Sequence, residues 1–449
     1  MQKQAVKFEP LKIWAKAKQL RDDYYKKFLE AREKGGIRYA GGAVAFHPLA
    51  AGLGKDVYNL TGEPYGATCA FFERFGISVQ EACDKAGIPR DLCAYVRNYW
   101  GSIILDKYLL SDGTVISGWP KPDFYYTQHI CCSHAKWYEF ANELEGGGIP
   151  QYAMDVPLLD PRDDQSRFQK AVDYATQQAL ESIPWMEKVT GREWNFELFC
   201  EAAENDNFNR SLWSKIFVLN QNVPAPMEEK SMFTLYVFNS LAPHWKSTRD
   251  FYVELKEEVE DRVKRGIGAV TPEKFRFMTD AQPAWAFLEI YRYMEQEYGA
   301  VAVGSLYSGQ FGAWGLDENE NLIPAKDFTE LKIDLKSMKK EQAIRTYVEY
   351  LMKGFNGGPT MQANRIKPVT MKSMYKQWKA QAVVMHLNRG CEGLSGGQMQ
   401  DKLELAKAGI PVFTYEGNMG DPRDYDLGKI KDRMETFMSS LGVEKIQRS

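Results

Sequence analysis

The sequence lacks the features that mark membrane, secreted and nucleic-acid-binding proteins. No run of about 18 apolar residues is present, and the N-terminus has no apolar core of the signal-peptide kind. The net charge of −3 is near balance and indicates no basic surface. The seven cysteines are odd in number and irregularly spaced, which does not fit a disulfide framework. We therefore expect a cytoplasmic protein that binds neither nucleic acid nor a membrane.

Several catalytic motifs are also missing. No GxGxxG opens the first α/β unit, and without GxxxxGK[ST] the chain should not bind ATP through a P-loop. HExxH and the GxSxG nucleophile elbow are absent, and the five histidines do not indicate a zinc site. The cysteines are therefore the strongest candidates for a catalytic or metal-binding role.

The 449 residues, of which 44% are hydrophobic, are enough for two or three packed domains. Strand-like and helix-like segments alternate in two regions, which predicts parallel sheets covered by helices. We predict an α/β protein with two doubly wound parallel-sheet domains of the Rossmann or flavodoxin type. The predicted parts are an N-terminal helical segment (1–40), a first α/β domain (41–161), a helical connector (162–271) and a second α/β domain (272–449).

Individual elements follow from apolar runs and from turn residues. Buried strands are predicted at 41–49, 55–62, 122–130, 148–159, 300–308, 382–387 and 410–418. Helices are predicted at 6–34, 81–104, 282–299, 341–354, 398–408 and 426–440, and over most of 163–260. No sequence repeat is visible, although the two α/β regions could still be structural relatives.

The stretch HLNRGCEGLSGGQ (386–398) is the most informative one in the chain. It breaks from a buried strand into a glycine-rich turn that carries Cys391 and then continues into a helix. Glycines let the backbone approach a bulky group and turn N–H donors toward it. A helix N-terminus nearby favours a thiolate. Cys391 is therefore a candidate metal ligand or nucleophile.

Two further cysteines share this setting. Cys131 follows a predicted strand, and Cys93 lies in the first turn of a predicted helix. Ligands of open parallel sheets bind beyond the carboxyl ends of the strands, where loops of two facing sheets can meet. Three thiolates can hold a [4Fe–4S] cluster and leave one iron open. Their spacing fits no compact CxxC motif, and the adjacent Cys132 is an alternative to Cys131.

The remaining candidates have a simpler interpretation. A cysteine inside a helix is more often a packed small residue than a ligand, so we expect Cys83 and Cys200 to be part of the core. Cys69 follows GEPYGA and could line a cavity, but a core position is favoured for it as well. His47 ends a predicted strand, and His134 lies close to Cys131. We choose His47 as the candidate catalytic acid because of its position at the strand end.

Six segments of the chain form an ordered set, namely GEPYGA (62–67), CAYVRNYWGSI (93–103), HICCSHAKWYE (129–139), NRGCEGLSGGQ (388–398), FTYEGNMGDPRDYD (413–426) and KIKDRMETFM (429–438). In these segments the chain resembles the 2-hydroxyacyl-CoA dehydratase and benzoyl-CoA reductase family. The order and spacing of these segments follow the family. Their residues are most similar to those of the larger, non-activating subunit of ATP-dependent (class I) benzoyl-CoA reductase.

The resemblance implies one [4Fe–4S] cluster with three cysteine ligands and an open iron. Matching the family's motifs gives Cys93, Cys391 and, six residues before Trp137, Cys131, with Cys132 as the alternate. The implied partners are a homologous smaller cluster-bearing subunit, ATP-hydrolysing [4Fe–4S] activator subunits and, through them, ferredoxin. The missing P-loop agrees with a non-activating role.

The implied activity is reduction of the aromatic ring of benzoyl-CoA to a cyclohexadienoyl-CoA by single-electron steps, through a ketyl-type radical anion. Such a reaction requires a dry cavity, a short electron path and a positioned acid. Two alternatives stay open. The chain could be a subunit of a 2-hydroxyacyl-CoA dehydratase, which eliminates water by a radical route, or a non-catalytic subunit that relays electrons or docks the activator.

Overall fold

The computed structural model describes residues 7–42, 46–129, 131–157, 159–160, 162, 164–353 and 366–447. Its strands are β1 (Lys7–Phe8), β2 (Ile37–Gly41), β3 (Val57–Thr61), β4 (Lys107–Leu109), β5 (Val115–Ser117), β6 (Phe124–His129), β7 (Gln151–Asp155), β8 (Ile267–Gly268), β9 (Phe275–Thr279), β10 (Ala300–Ser305), β11 (Trp314–Leu316), β12 (Leu322–Pro324), β13 (Ala382–Asn388) and β14 (Val412–Gly417).

The helices alternate with these strands in both halves of the chain. They are α1 (Trp14–Glu30), α2 (His47–Ala51), α3 (Gly62–Phe71), α4 (Glu73–Lys85), α5 (Ala94–Ile104), α6 (Cys132–Leu144), α7 (Gln165–Thr190), α8 (Phe196–Phe217), α9 (Glu229–Leu235), α10 (Phe238–Leu241), α11 (Lys246–Arg265), α12 (Glu289–Tyr298), α13 (Leu306–Gly309), α14 (Lys340–Lys353), α15 (Ile366–Gln377), α16 (Glu392–Ser395), α17 (Gln398–Lys407) and α18 (Leu427–Ser440).

The first lobe is built on a four-stranded parallel sheet in the order β3-β2-β6-β7. Successive side chains of a strand point to opposite faces of a sheet. Tyr39 and Phe124 accordingly belong to one hydrophobic core, whereas Ala40 and Tyr125 belong to another on the opposite face. Both faces are buried under helices, as a parallel sheet requires.

The second lobe has a four-stranded parallel sheet in the order β10-β9-β13-β14. When the strands of each sheet are numbered along the chain, both sheets have the order 2-1-3-4. The two α/β regions are thus structural relatives despite the absence of a sequence repeat. The predicted α/β class with two parallel-sheet domains is confirmed.

Helices α7 to α11 connect the two lobes and pack beside them. Near the N-terminus, β1 pairs with β8 in parallel, with Lys7 opposite Ile267. The domain boundaries at 40, 161 and 271 stay a prediction. Within the described part of the chain, no helix combines the length and apolar character needed to cross a membrane.

Most predicted strands are present, but the first one is misplaced. The sequence predicted a strand at 41–49, whereas the strand of this region is β2, and His47–Ala51 forms α2. All five residues of α2 are buried. A helix that is buried on every side gives the same continuous apolar run as a buried strand, which explains the error. Pro48, at the start of α2, was the overlooked helix signal.

Further elements differ from the prediction. The helix predicted at 6–34 begins only at Trp14, after strand β1, and the strand predicted at 300–308 ends at Ser305, where α13 follows. The helix predicted at 81–104 is two helices, α4 and α5, and α5 begins five residues after the proposed start at Pro89. The helix predicted at 282–299 is regular only in α12, after a 3₁₀ turn at Trp285–Phe287. Strand β9, in the interior of the second sheet, was not predicted. Residues 6, 43–45, 130, 158, 163 and 354 of the predicted elements lie outside the described residues.

The contact between α4 and α5 depends on Gly101. A Cβ atom added to Gly101 would lie 2.1 Å from the carbonyl oxygen of Val79 in α4, so no larger residue fits. We expect Gly101→Ala to push the two helices apart and to lower the free energy of unfolding by about 1–3 kcal/mol. The midpoint of thermal or urea unfolding measures this loss.

The matched control is Gly428→Ala in α18, where the new Cβ would meet a single atom at 3.6 Å. We expect it to leave stability unchanged or to raise it by about 0.5–1 kcal/mol, because alanine favours a helix over glycine. Equal unfolding midpoints for the two variants would contradict this account of the α4–α5 contact.

Candidate functional site

Two of the predicted cysteines occupy equivalent positions in the two lobes. Cys131 follows β6, the third strand of the first sheet, and Cys391 follows β13, the third strand of the second. In a sheet of order 2-1-3-4 the connections reverse direction between strands 1 and 3. Ligands bind in the crevice that this reversal leaves at the carboxyl ends of the strands.

Each of the three cysteines stands immediately before a helix. Cys93 is the N-cap of α5, Cys131 of α6 and Cys391 of the four-residue helix α16. The N-termini of α5 and α6 carry unpaired N–H groups and a positive partial charge. Both helices therefore favour negative charge on the sulfur atoms at their starts.

The loops that carry Cys93 and Cys391 touch each other through a glycine. Gly390 has φ +78°, and a Cβ added there would lie 2.6 Å from the carbonyl oxygen of Leu92 and 2.9 Å from that of Asp91. A side chain at position 390 would separate the loops. This glycine therefore brings Cys391 of the second lobe next to Cys93 of the first.

The three cysteines line one cavity between the lobes. Its volume is about 70 Å³, several times the roughly 10–15 Å³ that one water molecule needs. Besides the cysteines, the wall consists of aromatic rings, a few polar side chains and small residues, namely Glu63, Tyr95, Ser133, His134, Trp137, Gln282, Tyr307, Gln310, Phe311, Gly393, Leu394 and Met419. We call this space the cysteine cavity.

The thiols in this cavity interact with one another. Burial, followed by the neighbouring thiols of Cys391 and Cys131, raises the pKa of Cys93 well above its ordinary value. Burial also raises the pKa of Cys131 to about 12, and the Cys391 thiol acts in the same direction. Nearby backbone N–H groups counteract both shifts, but the protonated thiol prevails. A positively charged group bound between the sulfur atoms would reverse this balance, because coordinated thiols lose their protons.

The cysteine of the second lobe is further fixed by residues that follow β9. The side-chain amide of Gln282 donates a hydrogen bond to Cys391 Sγ at 3.3 Å. The carbonyl oxygen of Gln282 lies 2.8 Å from Nδ1 of the buried His386, which belongs to β13. The unpredicted strand β9 therefore leads directly into a contact with the candidate site.

The adjacent Cys132 points elsewhere. Its side chain is exposed and does not line the cysteine cavity. Its thiol donates a hydrogen bond to the carboxylate of Glu392, across the boundary between the lobes. This bond, followed by burial, raises the pKa of Cys132. Of the two neighbouring cysteines, only Cys131 lies beside Cys93 and Cys391.

The structure does not bring His47 to this group. His47 is buried, its Nδ1 lies 2.7 Å from the hydroxyl of Tyr39, and it is not part of the cavity wall. Cys69, Cys83 and Cys200 are buried away from the cysteine cavity, in the cores of the protein. For these three cysteines the expected core position is confirmed.

His134, which was not chosen as the catalytic acid, lines the cavity. His134 lies in the first turn of α6, and its Nε2 is 2.7 Å from Oε1 of Glu63. Glu63 belongs to the GEPYGA segment, which forms the start of α3 rather than a free turn. An added Cβ at Gly42 would lie 2.6 Å from the His134 ring, so this position requires glycine. The sequence signal for this pair was that Glu63 follows β3 by two residues and that His134 lies three residues after Cys131.

Thiols are the ligands that zinc, copper(I) and iron–sulfur clusters prefer. Among the residues described, no group of three or more His, Cys, Asp or Glu side chains is placed to hold a single metal ion. The three thiols instead surround an open space. This donor set fits a group wider than one ion.

The comparison with known proteins agrees with the resemblance found in the sequence. The family model of the 2-hydroxyglutaryl-CoA dehydratase D-component matches residues 66–441. The (R)-2-hydroxyisocaproyl-CoA dehydratase alpha subunit of Clostridioides difficile is 24% identical over 94% of each chain. The (R)-phenyllactyl-CoA dehydratase alpha subunit of Clostridium sporogenes is 25% identical over 82% of each chain.

A further relative has a different named activity. A benzoyl-CoA reductase subunit of Thauera aromatica is 22% identical over 81% of this chain and 79% of its own length. The similarity to these relatives is comparable, so sequence identity does not separate the two activities. Because the family match covers most of the chain, the protein belongs to the 2-hydroxyglutaryl-CoA dehydratase family, whose relatives include both acyl-CoA dehydratase subunits and a benzoyl-CoA reductase subunit.

Proposed function

We propose that the chain is the cluster-bearing, non-activating subunit of an ATP-dependent benzoyl-CoA reductase. In this proposal Cys93, Cys131 and Cys391 hold one [4Fe–4S] cluster whose fourth iron is open to the cysteine cavity. The supporting observation is the convergence of these three thiols, from both lobes, on one cavity with aromatic walls.

The residues present fit such a cluster. Three thiols line the cavity, and the two other potential ligands in its wall, Glu63 and His134, are paired with each other, which matches a site that leaves one iron without a protein ligand. Helices α5 and α6 begin at Cys93 and Cys131, and their N-termini stabilise the thiolate form that a cluster requires of its ligands. When bound, a cluster of this kind supplies single electrons to a thioester substrate.

The protein's own contribution is to keep water out and to orient the substrate. Tyr95, Tyr307 and Phe311 present rings to the cavity, and Tyr95 and Tyr307 are joined through their hydroxyl groups at 3.4 Å. Aromatic walls suit a planar ring, which packs against them by stacking or by edge contacts. Exclusion of water also protects a reactive reduced substrate from side reactions.

A ring reduction requires protons as well as electrons. The sequence suggested His47 as their source, but His47 is not part of the cavity wall. We propose His134 instead, because it lines the cavity and shares a hydrogen bond with Glu63. The Glu63 carboxylate accepts a hydrogen bond from Nε2 and orients the imidazole, so the proton given to the substrate would come from Nδ1, which has no hydrogen-bond partner among the described residues.

Dehydration of a 2-hydroxyacyl-CoA is the second candidate function. The family description and two of the relatives named above favour it. The same three thiols would hold the cluster, and the same cavity would receive the hydroxyacyl group in place of an aromatic ring. In either reaction we propose the partners that the resemblance implies, a smaller homologous subunit and an ATP-hydrolysing activator fed by ferredoxin. The relatives are each named as one subunit of an enzyme, which supports a multi-subunit complex.

The ligand assignment predicts a loss of iron from a single substitution. Cys391→Ala should remove about one cluster, or roughly four iron atoms, per chain, because two remaining thiols cannot hold the cube. Iron analysis and electron paramagnetic resonance of the anaerobically purified, co-expressed complex measure this loss.

Two control variants make the experiment specific. Cys200→Ala removes a buried core cysteine, and Cys132→Ala removes the exposed neighbour of Cys131. Both should retain full iron content. If Cys391→Ala keeps its iron, Cys391 is not a ligand; if Cys132→Ala loses iron as Cys131→Ala does, the assignment of Cys131 over Cys132 is wrong.

The choice between the two reactions requires a direct assay. The complex is supplied with its activator, ATP and a reductant, and is then given benzoyl-CoA or (R)-phenyllactyl-CoA. We expect a dienoyl-CoA product from benzoyl-CoA and no dehydration of the hydroxyacyl thioester. Dehydration without ring reduction would replace the proposed function by the second candidate. Turnover that survives Cys391→Ala would instead indicate a non-catalytic subunit.

A further inference from the structure

A second cavity lies on the other side of the aromatic wall from the cysteines. Its volume is about 200 Å³. It is bounded by α1, α3, the segment of α9 and α10, and the 3₁₀ turn at Trp285–Phe287, with the lining residues Arg21, Tyr25, Pro64, Ala67, Thr68, Phe71, Phe72, Ser111, Phe233, Thr234, Tyr236, Val237, Leu241 and Trp285. We call it the aromatic chamber.

One layer of aromatic side chains separates the two cavities. The ring of Tyr236, in the wall of the chamber, stacks on Phe311, in the wall of the cysteine cavity, with centroids 4.0 Å apart. Trp285 of the chamber donates a hydrogen bond to the hydroxyl of Tyr95 of the cysteine cavity. Helix α3 borders both spaces, with Glu63 on one side and Ala67 on the other.

The chamber is apolar apart from a few groups. An arginine, Arg21, stands in its wall, and the Arg21 Nε atom is buried without a hydrogen-bond partner among the residues described. The Nη2 atom of Arg21 lies 3.4 Å from Oδ1 of its neighbour Asp22. Phe71 is 54% exposed, next to Phe72 of the same wall. The Arg21 side chain is 27% exposed, so its terminal nitrogens, and not the shielded Nε, are the donors that an anion in the chamber can reach.

The expected occupant combines an apolar arm with an anionic group. The arm that joins the thioester of an acyl-CoA to its diphosphate is a flexible chain of methylene and amide groups, and it ends at a phosphate. A phosphate pairs well with the fork of an arginine side chain. The apolar wall suits the methylene groups of this arm. Because one layer of rings separates the chamber from the cysteine cavity, an arm bound in the chamber would leave the acyl group close to the thiols.

We propose that the aromatic chamber binds the phosphopantetheine arm of the acyl-CoA substrate and that Arg21 pairs with its phosphate. Tyr236 then stands between the arm and the thiols, and its ring must move off Phe311 before the acyl group can reach the cysteine cavity. This assignment rests on the proposed function for the choice of an acyl-CoA, but it concerns residues that hold no cluster.

Binding of substrate fragments tests the assignment without turnover. The anaerobically purified complex is titrated by calorimetry with coenzyme A, with 4′-phosphopantetheine and with pantetheine. Arg21→Gln should weaken binding of the two phosphate-bearing molecules about tenfold, because a charge-assisted hydrogen bond is lost, and leave pantetheine binding unchanged. Ala67→Phe, which fills the chamber from α3, should weaken all three.

Lys26→Gln is the matched control, since it removes an exposed positive charge from the same helix and does not line the chamber. It should bind all three molecules as the unmodified complex does. Unchanged binding of coenzyme A by Arg21→Gln, or of pantetheine by Ala67→Phe, would overturn the proposal. Iron analysis of the same samples tests the cluster ligands independently. A failure of the proposed arm binding can therefore be told apart from a failure of the cluster assignment.

Discussion

The contact between Gly390 and the backbone of Leu92 is the constraint on which the candidate site depends. There the two lobes approach so closely that no side chain fits between them. Since Cys391 and Cys93 each follow one of these residues, the same contact brings two thiols together from positions far apart in the sequence. The ion pair between Arg423 and Asp84, at 2.8 Å, also joins the lobes in this region. Partly exposed pairs of this kind contribute little energy, so close packing must provide most of the fixation.

The equivalence of the two lobes explains why a site forms at this place. Both sheets have the same strand order, and in each a cysteine follows the third strand. The crevices at the carboxyl ends of the two sheets therefore face a common cavity. The lobes differ in what lies between their second and third strands. The first lobe inserts α4 and α5 and thereby supplies Cys93, whereas the corresponding stretch of the second lobe, 306–381, contains no cysteine. The cavity thus receives three thiols rather than four.

Local signals were sufficient for much of the fold, but the detailed site required tertiary contacts. Apolar runs bounded by turn residues located most strands, and glycines after a strand marked Cys391 as unusual. Strand β9 was missed because Arg276 interrupts its apolar run; in the folded protein this arginine is buried and paired with Glu273 at 2.6 Å. The partner of His134 was equally hidden, because Glu63 reaches it from a helix 71 positions earlier in the chain. Such pairings depend on how helices and strands pack together, and the hydrophobic periodicity of the sequence does not reveal them.

The central claim is that three thiols from two lobes enclose an iron–sulfur cluster. Anomalous X-ray scattering at the iron absorption edge, on crystals of the complex grown without oxygen, tests it most directly. The account predicts one compact iron peak within bonding distance of the sulfur atoms of Cys93, Cys131 and Cys391, next to an open space walled by aromatic rings. Iron bound elsewhere in this chain, or a cavity between these sulfur atoms that contains no iron, would contradict it.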